Sequence, residues 1–343
     1  MGSIPPAGTI SLSRRSNLAD QPSQSSRPCS SNTATADLLL VNPAAGGGRA
    51  REILPDLERL AAAEGWVAQW ELTQSAADFR QRATAAARSG RKRIIAVGGD
   101  GTFQLLVNAV AGFPQTVLGI LPTGGGNDLA ASLGLPPDPI AAAKRLLDGE
   151  VGLIDAVRVR TAEGNERLYT GGGGVGLDAE AARHANGSFR NLRGRWRYLL
   201  SAIRALAGFQ AMRATISTGD GEAPIEIHKA LLACVLNTPS YGAGLVLAPD
   251  AKTDDGKLDL VVLEDLTVWQ ILQLLPKLAI RGELKAARVT RRPVTCLRID
   301  TDPPRCFHGD GEILGMTPVE ISVVPRACRV LRARRTSSSS GRA

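Results

Sequence analysis

The sequence predicts an α/β amino-terminal domain built on a doubly wound parallel sheet, followed by a mainly antiparallel β domain. Three observations carry this reading. Between residues 37 and 121, short apolar runs alternate four times with helical stretches, which is the pattern of strand–helix units feeding a parallel sheet. The glycine-rich turns in this region follow strands, where ligands of such sheets bind. Beyond about Val151 the apolar runs are separated by Gly, Pro and Asp turns instead, as in strands joined by hairpins.

Taken in order, Leu38-Leu39-Leu40-Val41 is a continuous apolar run of the kind a strand buried on both faces gives. Ile53, Leu54, Leu57 and Leu60 then share one side of a helix. A strand from Trp66 to Leu72, an Ala-rich helix from near Ser75, a strand from Arg93 to Val97, a further helix and a strand from Thr116 to Leu121 complete the first half. In the second half Ala230–Leu236, Leu258–Leu263, Thr295–Ile299 and Val319–Val324 read as strands, with helical segments near 194–209 and 266–281. The expected organisation is a disordered tail over 1–36, an α/β domain over 37–151, a β domain over 152–326 and a basic disordered tail over 327–343.

A hydrophobic fraction of 43% and a charged fraction of 22% in 343 residues are those of an ordinary globular protein. The net charge of +8 is concentrated at the ends: residues 1–36 and 326–343 hold nine of the 41 basic and one of the 33 acidic residues, leaving 32 of each in the body. A basic nucleic-acid groove is therefore not expected. Five cysteines, odd in number and without a C-x-x-C pair, suit a reducing cytoplasm. No apolar run reaches the length of a membrane span, and residues 1–36, rich in Ser and Pro, read as a tail or a transit segment.

Three turns carry the chemistry. The strand ending in Val97 runs into Gly98-Gly99-Asp100-Gly101-Thr102, where glycines let a phosphate approach the backbone and the next helix offers unpaired N–H groups. Asp100 reads either as a carboxylate engaging Mg²⁺ or the reacting hydroxyl, or as a turn or helix-capping residue. Leu121-Pro122-Thr123-Gly124-Gly125-Gly126-Asn127-Asp128 repeats the strand–turn–helix context, and Asn42 to Gly46 supplies a third wall. Together they predict a polyphosphate crevice.

These residues resemble the diacylglycerol kinase catalytic superfamily, which includes bacterial lipid kinases and the sphingosine and ceramide kinases and shares its first domain with NAD kinase. The resemblance runs from about Leu38 to Val324. It rests on Asn-Pro-x-x-Gly at Asn42, Gly-Gly-Asp-Gly-Thr at Gly98, Gly-Asn-Asp ending at Asp128, Gly176-Leu177-Asp178-Ala179, and Asp310-Gly311-Glu312. It implies ATP and Mg²⁺ as cofactors. Asn42, Pro43 and Gly46, Thr73, and Gly98, Gly99, Gly101 and Thr102 would meet the nucleotide, with Gly124, Gly125, Asn127 and Asp310 completing its site. Glu312 would be the general base, and a structural Mg²⁺ would be held by Asp255 with Lys252 and Lys257. Read without the family, the Asp254-Asp255-Gly256 cluster is a solvated hairpin turn. Two residues depart from the family: Gly125 stands where Thr is usual, and Gln104 where Asn is common, each altering one polar contact to nucleotide.

The chemistry of phosphoryl transfer independently asks for a carboxylate that orients a hydroxyl and accepts its proton, which the Asp310-Gly311-Glu312 turn could supply. The three histidines, including His308, are scattered without metal-ligand spacing and read as structural or exposed. Gly171 to Gly176 satisfies a dinucleotide fingerprint literally, but no acidic residue lies between Glu180 and Asp220 to bind a ribose. NAD kinase is the first rival, and it lacks its substrate motif here; a non-catalytic lipid-binding protein on the same fold is the second.

Seven arginines lie between Arg183 and Arg213 with no acid among them. If 194–209 is a helix, Trp196, Leu199, Leu200, Ile203, Leu206 and Ala207 form one stripe with Arg195 on one flank and Arg193, Arg197 and Arg204 on the other, suiting either an interfacial helix or a surface helix packed on the core. The expected partners are a membrane lipid substrate and an anionic membrane in peripheral contact, with no nucleic acid and a homodimer left open. The expected location is cytoplasmic and peripherally membrane-associated.

Overall fold

A computed structural model describes residues 36–186, 200–201, 204–205, 209–219, 221–242, 244–264, 270 and 288–334. The helical expectations for 194–209 and 266–281 fall largely outside these residues. The first half reads β1 (Asp37–Val41), a 3₁₀ turn (Ala45–Gly47), α1 (Arg49–Glu52), α2 (Leu54–Ala63), β2 (Ala68–Leu72), α3 (Ala76–Arg88), β3 (Arg93–Gly98), α4 (Asp100–Val110), β4 (Val117–Pro122), α5 (Asp128–Ser132) and α6 (Pro139–Leu147). Strands β2, β1, β3 and β4 lie side by side in that order, all parallel. Leu38 to Val41 and Ile94 to Val97 are buried, because α-helices cover both faces of a parallel sheet. Each buried Leu, Ile or Val among them contributes about 1.5–3 kcal/mol relative to exposure.

Local chemistry sets the boundaries. The helix through Ile53 to Leu60 divides at Ile53, with Pro55 placed in the first turn of α2, where its missing N–H costs nothing. Ser75 caps α3 by accepting the Asp78 N–H at 3.1 Å. Strand β2 starts two residues later than the apolar pattern suggests, because Trp66 turns its indole N–H onto Asp37 at 2.8 Å.

The second half contains β5 (Glu150–Thr161), β6 (Glu166–Tyr169), β7 (Gly172–Gly176), α7 (Leu177–Asn186), β8 (Met212–Thr218), β9 (Ile225–Leu236), β10 (Ser240–Tyr241), β11 (Leu245–Val246), β12 (Leu258–Glu264), β13 (Val289–Val294), β14 (Cys296–Asp302), β15 (Cys306–Gly309), β16 (Glu312–Met316) and β17 (Val319–Arg332). Pairing among these strands is antiparallel. The α/β sheet and the β strands meet at β17, which pairs antiparallel with β14 and β5 and parallel with β4.

This placement of β17 corrects the expected tail over 327–343. Ala327 to Arg332 are strand, with Cys328, Val330 and Leu331 packed into the core of the first half. The strand bends at Arg326, which has a φ of 53°. Fully buried Asp155 holds the bend, accepting the Arg326 N–H at 2.7 Å with one oxygen and the Gly256 N–H at 2.7 Å with the other. Arg332, one of the arginines assigned to the tail, pairs with Glu150 at 3.0 Å.

Candidate active site

The carboxyl ends of all four parallel strands carry residues singled out by sequence. Asn42 follows β1; its side-chain N–H donates to the Thr102 hydroxyl at 3.0 Å and its Oδ1 accepts the Ala44 N–H at 3.2 Å. Pro43 lies in the same loop. Thr73 follows β2 and donates its hydroxyl to the Val41 carbonyl at 3.0 Å. Gly46 has a φ of +63°, and a Cβ there would fall 1.9 Å from the Thr123 carbonyl oxygen, so only glycine lets this loop close on the loop after β4. Gly99 and Gly124 stack in the same way: a Cβ on Gly124 would lie 2.7 Å from the Gly99 Cα. The three glycine turns are thus one continuous backbone surface. The amino terminus of α4 has no side-chain cap, and the Thr123 hydroxyl is buried without a hydrogen-bond partner. Uncapped N–H groups and an orphaned hydroxyl beside glycine backbone fit phosphate oxygens.

Asp100 opens α4, but its carboxylate works on another helix. It accepts N–H groups from Asn127 at 2.8 Å, Asp128 at 3.4 Å and Leu129 at 3.3 Å, capping α5 across the crevice. Asn127 adopts a left-handed conformation (φ 61°) and holds the Gly124 backbone through both side-chain atoms, at 3.0 and 2.9 Å. Gly125 lies in the same loop. Burial pushes the Asp100 carboxyl up to about 7, and the charges of Asp128 and Asp310 push in the same direction. Such a cluster of acids favours a bound cation.

Facing these loops is the turn between β15 and β16. Asp310 has a φ of 49° and both its carboxylate oxygens are engaged: Thr170, Gly171 and Gly172 donate backbone N–H groups at 2.9, 2.9 and 3.1 Å. Burial pushes its pKa up to about 6 while those N–H groups pull it down. Two residues on, Glu312 brings Oε1 to 3.2 Å from the position a Cβ on Gly101 would occupy. Glu312 and the Gly98–Thr102 turn, over 200 residues apart, therefore share one crevice. Gln104 helps to hold it: its buried amide donates to the Gly309 carbonyl at 3.1 Å. The side chain of Gln104 thus joins α4 to β15.

Asp255 is exposed and accepts the N–H of Lys257 at 3.0 Å, a turn held by its own first residue, while Lys252 lies at the start of the same segment. Among the described residues no group of three or more His, Cys, Asp or Glu side chains is placed to hold a metal. Mg²⁺ is characteristically held by one or two carboxylates together with substrate phosphates. Asp100 and Asp128 are adjacent, the Asp128 N–H lying 3.4 Å from Asp100 Oδ2, and would offer a cation two neighbouring carboxylates.

Residues that sequence reasoning did not assign also shape the site. Asp128 Oδ1 accepts the Ser240 hydroxyl at 2.7 Å and the Gly244 N–H at 3.0 Å. Asn108 on α4 spans to β6 through the Leu168 carbonyl at 2.7 Å and N–H at 3.0 Å. His308, read from sequence as structural or exposed, is buried and bonded to Asp178 and Tyr241. These pairs are 60 to 130 residues apart and leave no local signal.

Comparison with known proteins adds an independent line. Residues 37–159 match the diacylglycerol kinase catalytic domain, and residues 172–332 match the YegS C-terminal NAD kinase beta sandwich-like domain. The chain is 32% identical over 262 residues to a diacylglycerol kinase of Mycobacterium tuberculosis, covering 75% of this chain and 82% of that protein. It is 26% identical over 285 residues to a diacylglycerol kinase of Bacillus subtilis, covering 82% and 91%. A crystal structure of a diacylglycerol kinase from Bacillus anthracis superposes with a TM-score of 0.66 at 22% identity, covering 88% of this chain and 98% of that one, a likeness of fold.

Proposed function

The chain belongs to the diacylglycerol kinase catalytic-domain superfamily, and we propose that it is an ATP-dependent lipid kinase that transfers the γ-phosphoryl group to a lipid hydroxyl. Diacylglycerol is the first acceptor to test, ahead of ceramide and sphingoid bases, because the relatives above carry that name. The observation that carries the reading is the approach of Glu312 to Gly101 across a crevice walled by three glycine turns.

The glycine turns and the amino terminus of α4 hold the phosphates through backbone N–H groups. Asp100 and Asp128 would hold Mg²⁺, which when bound supplies positive charge to the phosphoryl oxygens. Glu312 orients the lipid hydroxyl and accepts its proton as the new O–P bond forms and the bond to ADP breaks. Asp310, bonded to the 170–172 backbone, keeps the Glu312 turn in place. We place the acceptor at a membrane surface, supported by the acid-free run of seven arginines from Arg183 to Arg213. Among the described residues no helix is long and apolar enough to cross a membrane. Transfer of labelled phosphate from ATP to diacylglycerol in mixed micelles, with ceramide, a sphingoid base and NAD as competing acceptors, tests the reading. Phosphorylation of NAD alone would overturn it.

A further inference from the structure

The glycine run Gly171 to Gly174 forms the approach to β7 and its first three residues, and it is glycine because other groups lie flush on its backbone. A Cβ would fall 2.8 Å from Asp310 Oδ1 at Gly171, 2.5 Å from the Tyr241 ring at Gly172, 2.5 Å from the His308 carbonyl at Gly173, and 2.4 Å from Asp178 Oδ2 at Gly174. On this platform Tyr241 donates its hydroxyl to Asp178 Oδ2 at 2.7 Å. His308 Nε2 lies 3.1 Å from the same oxygen and 2.5 Å from the Tyr241 oxygen, with the two rings stacked at 5.9 Å. Both contacts of His308 run through Nε2. Its Nδ1 is buried without a partner, leaving the ring held from one side alone.

The geometry of the neighbouring residue gives this cluster a role. Ser240 and Tyr241 are consecutive in β10. Ser240 bonds to Asp128 in the nucleotide loop, and Tyr241 bonds to His308, which pairs with Ile313 beside Glu312. Strand β10, paired with β11, is therefore tied on one side to the start of α5 and on the other to the strand that leads into the Glu312 turn. We propose that Tyr241 is a positioning residue for phosphoryl transfer, with β10 setting the spacing between Asp128 and Glu312. This rests on the kinase reading above. Reacting atoms must be placed closely, and a displacement of about 1 Å can lower turnover on the order of a hundredfold.

Tyr241→Phe keeps the stacked ring and its packing on Gly172 but removes the hydroxyl tie. Steady-state kinetics and amide exchange of 306–316 should be measured together on the full chain. The expected result is a fall in kcat of about tenfold or more, an ATP KM within about twofold of wild type, and faster exchange at 308–312. His308→Gln, which keeps an amide donor for Asp178, should retain more turnover than His308→Ala. Unchanged kcat and unchanged exchange in Tyr241→Phe would overturn the positioning role, as would a fall in kcat matched by a rise in ATP KM. A wild-type protein that phosphorylates no lipid would overturn the kinase reading and this role with it, while the exchange data would still report whether the tie exists.

Discussion

Glu312 Oε1 stands 3.2 Å from where a side chain on Gly101 would begin, and the Asp310 carbonyl oxygen stands 3.5 Å from the same point. Gly101→Ala should therefore displace the proposed base without disturbing the core. Alanine is the better helix former, so the expected thermal midpoint is at or near that of wild type. Turnover should fall by about tenfold or more, read in kcat.

Asp100 and the backbone of residues 127–129 make a second testable pair. Asp100→Ala leaves those N–H groups without their acceptor, at a cost of about 1–3 kcal/mol. Asp100→Asn keeps one acceptor oxygen and should recover part of that stability, measured by denaturant unfolding. Both variants should lose phosphoryl transfer, because neither keeps the charge that faces Asp128.

The acids of the crevice should make the metal-free protein less stable as pH rises. Burial and neighbouring charge raise Asp100 to about 7, and burial raises Asp310 to about 6, against an ordinary value of 3.8. The folded state thus binds more protons than the unfolded state above pH 3.8. The stabilisation from these protons is complete below that value and is lost as pH climbs through 6 and 7. Unfolding in the presence of a chelator should show this decline, and Asp100→Asn should flatten it. Mg²⁺ with a non-hydrolysable nucleotide should flatten it as well, since a bound cation favours the ionised carboxylates.

Gly46 tests the nucleotide loops. Its left-handed conformation, and a Thr123 carbonyl oxygen only 1.9 Å from where its Cβ would stand, leave no room for a methyl group. Gly46→Ala should raise the ATP KM by about tenfold or more while leaving diacylglycerol binding to vesicles or micelles unchanged, since the conformational strain alone is about 1–2 kcal/mol.

The α/β half was legible because its signals are local: continuous apolar runs for β1, β3 and β4, and glycine turns at their ends. Its refinements came from side chains with distant partners, as where Trp66 leaves β2 to bond Asp37. The last strand was misread for a related reason. Arginines 326, 329 and 332 make residues 326–332 look like a basic tail, yet alternation along β17 buries Cys328 and Val330 while Arg332 pairs with Glu150. Among the site residues, Asp100 and Asp310 were visible as acids in turns, but the N–H groups they accept come from other loops. His308 was unreadable, since its partners Asp178 and Tyr241 lie 130 and 67 residues away.

The most direct test of Glu312 as the base is a comparison of wild type with Glu312→Gln, measuring ATP affinity by calorimetry and phosphate transfer to diacylglycerol in mixed micelles. The amide keeps the shape of the carboxylate but cannot accept the hydroxyl proton. ATP affinity should stay within about twofold and transfer should fall by about 10²–10⁴-fold. Transfer by Glu312→Gln at the wild-type rate would contradict the assignment.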